Sequence, residues 1–264
     1  MLSHEQKCEV RYLIERSLDE AQEAWDKSGH VLEKSLSTEA YRNRSFAEDS
    51  VPSRLPGHPV VEPSLAKTSD FIAIVADMRE STKHLLEDIS EKRAKVTRIK
   101  RIFYETSALL PALERTIQFE SGKVTEYLGD GVLGFFNADD DARADAIYSA
   151  SRAAQNCVED TRAILNEILN DRYNLPDVSL GIGLAFSPCL ISALGMEGNK
   201  HPKAFGRCVY DATKLSHGWN EVFVQEHLSN IWPAAKSGQK AVVSFGKIVE
   251  KGSARGKKLT RNPL

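Results

Sequence analysis

Two aspartates carry the first chemical signal. Asp77 follows the apolar run FIAIVA, residues 71–76, and Asp130 stands between Gly129 and Gly131 in VTEYLGDGVLGFF, residues 124–136. The apolar segments flanking Gly-Asp-Gly read as a β-hairpin. FIAIVA reads as a short buried strand by its length and β-branching. If these strands are neighbours, both carboxylates reach the same end of one sheet. Two carboxylates on one edge disfavour each other unless a cation lies between them. Mg²⁺ takes few carboxylates and leaves its other positions to water and phosphate. The amides of Met78, Arg79, Glu80, Ser81 and Thr82 stand where a helix begins, a place suited to an anion. Singly, Asp77 is a helix cap and Asp130 a turn residue. Jointly they predict a two-metal, phosphate-handling site. Glu126, three residues before Gly129 on a strand expected to be mostly buried, is harder to place.

These residues need a frame. Ile14, Leu18, Ala21 and Trp25 fall at helical spacing, so the first segment is a helix, packed on its own domain or forming a dimer. VPSRLPGHPVVEP, residues 51–63, holds four prolines and reads as a linker or extended wrap. The main domain then runs over 67–264, after an N-terminal helix and Pro-rich linker over 1–66. STKHLLEDI starts a helix capped by Ser81. Helices follow over 94–119 and from Ala138 through NEIL, the latter acidic at its start as the macrodipole prefers. VSLGIGLAF and LISALGM alternate like paired strands around Ser187-Pro188. A loop over 197–203, a helix over 207–219, the strand EVFVQ and a terminal hairpin complete the chain. Helices mixed with largely antiparallel strands predict an α+β sandwich, one sheet with helices on one face.

The chain has 264 residues and a net charge of −2, so no global field draws it to nucleic acid or an anionic membrane. Its four cysteines form no Cys-x-x-Cys motif, which argues against a zinc site or redox dithiol. His201, His217 and His227 fall in no metal-ligand pattern. The start is polar and no apolar run could span a bilayer, so a cytoplasmic setting is expected.

The motifs together resemble the class III nucleotidyl cyclases, the catalytic domain of adenylate and guanylate cyclases. FIAIVADMREST is similar to that family's first metal motif and EYLGDGVLGFF to its second. VSLGIGLAFSPCLISALG resembles the strands that follow, and AFGRCVYDATKLS the Gly-x-x-Val-Asn-x-Ala-x-Arg helix. The resemblance covers residues 69–262 and implies a ferredoxin-like sandwich. It implies two Mg²⁺ or Mn²⁺ ions on Asp77 and Asp130, with the Met78 carbonyl as a further ligand. It also implies attack of a ribose 3′-oxygen on the α-phosphate of a nucleoside triphosphate, at the interface of a homodimer.

Within that resemblance Glu126 and Lys203 occupy the base-reading positions. Adenylate cyclases pair a lysine with an aspartate or threonine there, so the charges here are reversed. Glu126 only accepts and Lys203 only donates. The matching base edge has a ring N–H beside a carbonyl, as in uracil and guanine but not adenine or cytosine. The alternative is a structural ion pair. Guanylate cyclases carry the glutamate but typically a cysteine at the second position. A further resemblance, to the bacterial pyrimidine cyclases of Pycsar antiphage defence, implies UTP as substrate and cyclic UMP as product. It also implies a separate effector that the product activates. Tyr210 stands where the family has its ribose-orienting asparagine, and Lys214 where it has its transition-state arginine. Lysine supplies charge without the planar fork. Arg207, one turn earlier, is a second candidate for the phosphate role. Lys251 resembles the triphosphate-binding lysine, with Lys257 and Lys258 as competitors. Guanylate cyclase and a non-catalytic nucleotide-binding dimerisation module are the other readings; against a polymerase palm, the sequence shows no basic groove signature.

Overall fold

The computed structural model describes residues 1–34, 51–62, 66–86, 96–196, 198–234 and 242–262. Helix α1 (His4–Lys34) comes first, then the paired two-residue strands β1 (Val51–Pro52) and β2 (Val60–Val61). The central strand β3 (Lys67–Met78) leads into α2 (Ser81–Leu86) and α3 (Arg98–Phe119). The hairpin β4 (Lys123–Tyr127) and β5 (Gly131–Asn137) is followed by α4 (Arg143–Asn156) and α5 (Arg162–Tyr173), joined by a π-helical turn over Cys157–Thr161. Strands β6 (Leu180–Met196) and β7 (Asn199–Gly206) precede α6 (Arg207–Leu215) and β8 (Glu221–Gln225). Then come α7 (Glu226–Asn230), β9 (Val243–Lys251) and β10 (Ala254–Arg261). The helix expected over 94–119 begins at Arg98; its positions 94 and 95, and Glu87 to Ile89 after α2, lie outside the described residues.

The main sheet has the order β4-β5-β3-β6-β8-β10-β9, with β7 also paired to β6. Among the described strands only the β6–β8 pair is parallel. Side chains alternate across β3, as a pleated strand requires. Ile72, Ile74, Ala76 and Met78 face a core built with α1, α3, α4 and α5. Phe71, Ala73 and Val75 face a second core with Cys208 and Ala212 of α6, and with Leu55 and Val61. The expectation of helices on one face is therefore corrected: α6 covers the other. Glycines in β6 admit it so closely that a Cβ on Gly183 would stand 2.0 Å from the Ala212 carbonyl oxygen. This helix ends at Leu215 rather than Trp219, because the chain reverses through Gly218 and the left-handed Asn220 (φ 54°) into β8.

The region around Ser187-Pro188 is a second correction. VSLGIGLAF and LISALGM do not pair with each other; from Leu180 on, both lie in the one long strand β6. Asp70, opposite Pro188, makes its backbone bonds to Ala138 and Asp139 on the other side. The missing N–H of Pro188 thus faces away from β3, where β6 changes partner from β8 (up to Leu184) to β7 (from Cys189). The residues expected as a loop before α6 form β7 from Asn199 onward; Glu197 lies outside the described residues.

Helix α1 packs on α3 and α5 through Val10, Ile14, Leu18, Ala21 and Trp25. Its start is pinned at the π turn, where Asp160 accepts the Leu2 N–H (2.7 Å) and pairs with Lys7 (2.7 Å).

Candidate active site

Three groups of side chains collect the residues singled out above. The first lies at the end of β3. Asp77 pairs with Gly131 on one side and Gly181 on the other, so its carboxylate stands at the sheet edge between two glycine strands. The β4–β5 turn meets it there: the Asp130 carbonyl accepts the Met78 N–H at 3.1 Å. Gly131 is needed for this approach, since a Cβ on it would lie 2.5 Å from the Ala76 oxygen and 3.2 Å from Asp77 Oδ1. Burial, reinforced by the Asp130 charge, pushes the Asp77 carboxyl up to about 6 against the opposing pull of Arg79. The Arg79 guanidinium lies on Asp77 Oδ2 and reaches the Met78 carbonyl oxygen at 3.5 Å, while its Nε is buried without a partner.

The anion cradle is smaller than expected. The Met78 amide is taken by Asp130 and the Arg79 amide by the Ser179 carbonyl (2.8 Å). Glu80 (φ 58°) turns the chain, and its carbonyl accepts the first helical bond, from His84. Glu80 therefore holds the cap position assigned to Ser81. The amides of Glu80, Ser81 and Thr82 belong to the open first turn. Helix α2 is fixed from below by residues that sequence reasoning missed. Glu105, fully buried in α3, accepts from Arg101 Nε (2.7 Å) and pairs with His84 Nδ1 (2.8 Å). An Arg and a Glu four apart amid the apolar positions of α3 were the available signal.

This edge suits a hard divalent cation. Its donors are all oxygen: Asp77, Asp130 and the Met78 carbonyl. Among the described residues no three His, Cys, Asp or Glu side chains gather as a metal cluster. The remaining coordination positions would fall to water and phosphate, as Mg²⁺ and Mn²⁺ accept.

The second group is Glu126 with Lys203. Their charges meet at 2.7 Å, each about a third exposed (32% and 37%). A β-bulge brings this about. Val124 opposes Gly134, but Glu126 opposes Leu133, so Thr125 is the extra residue. Without it Glu126 would share with Val124 the face packed on α1, α3, α4 and α5. The bulge turns it to the face of Leu133 and α6, where β7 delivers Lys203.

The third group lies along α6. Arg207 is held by the buried Asp211 (3.2 Å) and the Ser253 carbonyl (3.3 Å). Asp211, also missed from sequence, accepts from Gln225 at 2.5 Å. Tyr210 is exposed, its hydroxyl accepts from Ser253 Oγ (3.4 Å), and the Lys214 ammonium lies 5.6 Å from its ring centroid. Lys251 ends β9 beside this Gly252-Ser253 turn. Lys257 and Lys258 are tied to Asn230 (3.2 Å) and Glu221 (2.7 Å). Among the described residues no hydrogen bond or ion pair joins the three groups to one another.

No protein-family model and no curated protein matches the chain. Solved structures do match. The guanylyl cyclase Cya2 superposes with TM-score 0.57 at 15% identity, over 74% of this chain and 93% of that one. The adenylyl cyclase CyaB from P. aeruginosa gives 0.60 at 11% identity, over 75% and 97%. The guanylate cyclase domain of RhGC from Catenaria anguillulae, in complex with GTP, gives 0.53 at 15%, over 75% and 100%. The chain has the fold of the class III nucleotidyl cyclase catalytic domain.

Proposed function

We propose that this chain, on its cyclase fold, is a nucleotide cyclase that converts UTP to 3′,5′-cyclic UMP and pyrophosphate between two copies of itself. The 3′-oxygen bonds to the α-phosphorus, the bond to the β-phosphate bridging oxygen breaks, pyrophosphate leaves, and the 3′-hydroxyl proton passes to solvent. Two Mg²⁺ or Mn²⁺ ions, when bound, stabilise the charge on the attacking and leaving oxygens. Asp77, Asp130 and the Met78 carbonyl would hold them. Arg79 and the open amides of Glu80, Ser81 and Thr82 orient the triphosphate. Tyr210, Lys214 and Lys251, with Arg207 behind them, face it from the partner copy, as the cyclase likeness implies. The product is a diffusible messenger for a separate effector, in keeping with a role in bacterial antiphage defence.

The observation that carries the choice of base is the Glu126–Lys203 contact at 2.7 Å. An acceptor and a donor side by side, partly exposed, match an N–H beside a carbonyl. Uracil fits with N3–H on Glu126 and O4 on Lys203. Without nucleotide the two satisfy each other; a partly exposed pair is worth only ~0–1 kcal/mol, so a base edge displaces it at little cost. Guanine carries the same edge, which keeps GTP as the second substrate. Tyr210 and Lys214, in place of asparagine and arginine, favour a second reading, a nucleotide-binding dimerisation module with weak turnover.

The test is competition among equimolar ATP, GTP, CTP and UTP with Mn²⁺, products resolved by chromatography. UTP is expected to give the most product, with GTP next. Glu126→Gln, whose amide also donates, is expected to reduce the preference for UTP over CTP by about tenfold. A win for ATP or CTP overturns the base reading. No cyclic product from any triphosphate leaves the module reading in its place.

A further inference from the structure

We infer that Arg79 is a built-in cation that holds the divalent-metal position closed until nucleotide arrives, an inference that rests on the metal reading of Asp77 and Asp130. The guanidinium lies on two oxygens that a divalent ion would need: Asp77 Oδ2, and the Met78 carbonyl at 3.5 Å. It is held there by its own backbone, since the Arg79 amide bonds the Ser179 carbonyl at 2.8 Å. The pair is sheltered, with side chains only 20% and 25% exposed. At that depth a charge-assisted hydrogen bond competes with an incoming ion far better than a surface pair does.

The arrangement is incomplete as it stands. Arg79 Nε is buried and unpartnered. A guanidinium has five donors in a fixed fork, and Asp77 with Met78 cannot use them all. A phosphate beside the open turn at Glu80–Thr82 offers the missing acceptors, in a geometry that guanidinium matches. A metal ion alone must expel Arg79 and leave it without a counter-charge. A metal–triphosphate complex brings both the replacement cation for Asp77 and the new anion for Arg79. The site therefore binds a bare divalent ion poorly and a metal–nucleotide complex well, so that the two load together.

The experiment measures Mn²⁺ binding to the purified full chain without nucleotide, by electron paramagnetic resonance of free Mn²⁺. Arg79→Gln is expected to bind Mn²⁺ at least about tenfold more tightly than the unmodified chain, the scale set by one charge-assisted hydrogen bond. Arg79→Lys keeps a cation beside Asp77 and is expected to stay near the weak affinity. Lys83→Gln removes the same charge one turn away on α2 and is expected to change affinity less than about twofold, as a screened surface charge does. Melting curves establish that each variant is folded. Equal affinity in Arg79→Gln and the unmodified chain, with binding lost in Asp130→Ala, overturns the gate and leaves the metal site standing. An equal gain in Lys83→Gln also overturns it, because the effect is then bulk charge. No saturable Mn²⁺ binding in any chain, Arg79→Gln included, overturns the metal reading and the gate with it.

Discussion

The Asp77 carboxyl, raised to about 6 by burial and by Asp130, makes the metal-free fold pH-sensitive. An unfolded aspartate titrates near ~3.9, so between about pH 4 and 6 the folded chain holds more protons at this residue. Its contribution is full below about 4 and is lost as pH rises through 6. Relative to Asp77→Asn, the unfolding free energy of the metal-free chain is expected to fall by on the order of 2 kcal/mol between pH 4 and 7. Urea melts at several pH values check this, and a difference that does not vary with pH refutes it. Glu80 carries a different local cost, its left-handed backbone at φ 58°. Glu80→Gly removes that strain and is expected to stabilise by about 0.5 kcal/mol, after the glycine's own entropy cost, read from the urea midpoint. Asp77 and Asp130 were legible because apolar runs fix where each strand stops. The seat of Arg79 was not: residues two apart on a strand share a face, but this strand ends at Met78 and bends at Glu80, which spacing alone does not reveal.

Among the elements, β3, α3, β5 and β8 were readable because each is buried and its pattern follows its period. Strand β7 was not, since it stands out from the core beside the far half of β6 with no residue fully buried, and an unburied strand needs no alternation. The π turn was equally silent: one extra residue per turn leaves composition unchanged. It has a use, because it places Asp160 under the start of α1 and Thr161 against Thr116 of α3 (2.6 Å). Asp160→Ala removes a charge-assisted bond to the Leu2 N–H and the Lys7 pair at once. It is expected to cost about 1–3 kcal/mol, seen as a lower melting temperature, with nucleotide selectivity unchanged. An unaltered melting temperature would show that α1 is held by its apolar stripe alone.

For the molecule as a whole, a subset of the exposed large apolar side chains bears on assembly. Tyr127 and Leu128 lie at the β4–β5 turn, Leu190, Leu194 and Met196 on β6, Phe205 on β7 and Tyr210 on α6. The outlying β6–β7 hairpin thus exposes Leu190, Leu194, Met196 and Phe205 beside the polar Asn199, Lys200 and His201, as a surface that meets another protein surface does. If two copies meet there with twofold symmetry, chains carrying Asp77→Ala and chains carrying Glu126→Ala, each poorly active alone, should regain activity on mixing. One of the two hybrid sites then holds intact halves from both. Phe205→Glu should sediment as a monomer and lose turnover without losing its melting transition. Failure to recover activity, with subunit exchange confirmed by a tagged chain, would place the whole site within one copy.

The way α1 is covered also sets an order of assembly. Its apolar stripe, Val10 through Trp25, packs against α3 and α5, which lie well downstream in the chain. Strand β3 likewise waits for β5 and then for β6. During synthesis the stripe is made before both of them and stays uncovered until α3 and then α5 have emerged, so nascent chains should bind holdase chaperones through residues 10–25. Contacts this distant in sequence also slow the search for the native arrangement. Refolding from denaturant should accordingly proceed through a state in which the sheet is formed and α1 is still undocked, open to protease.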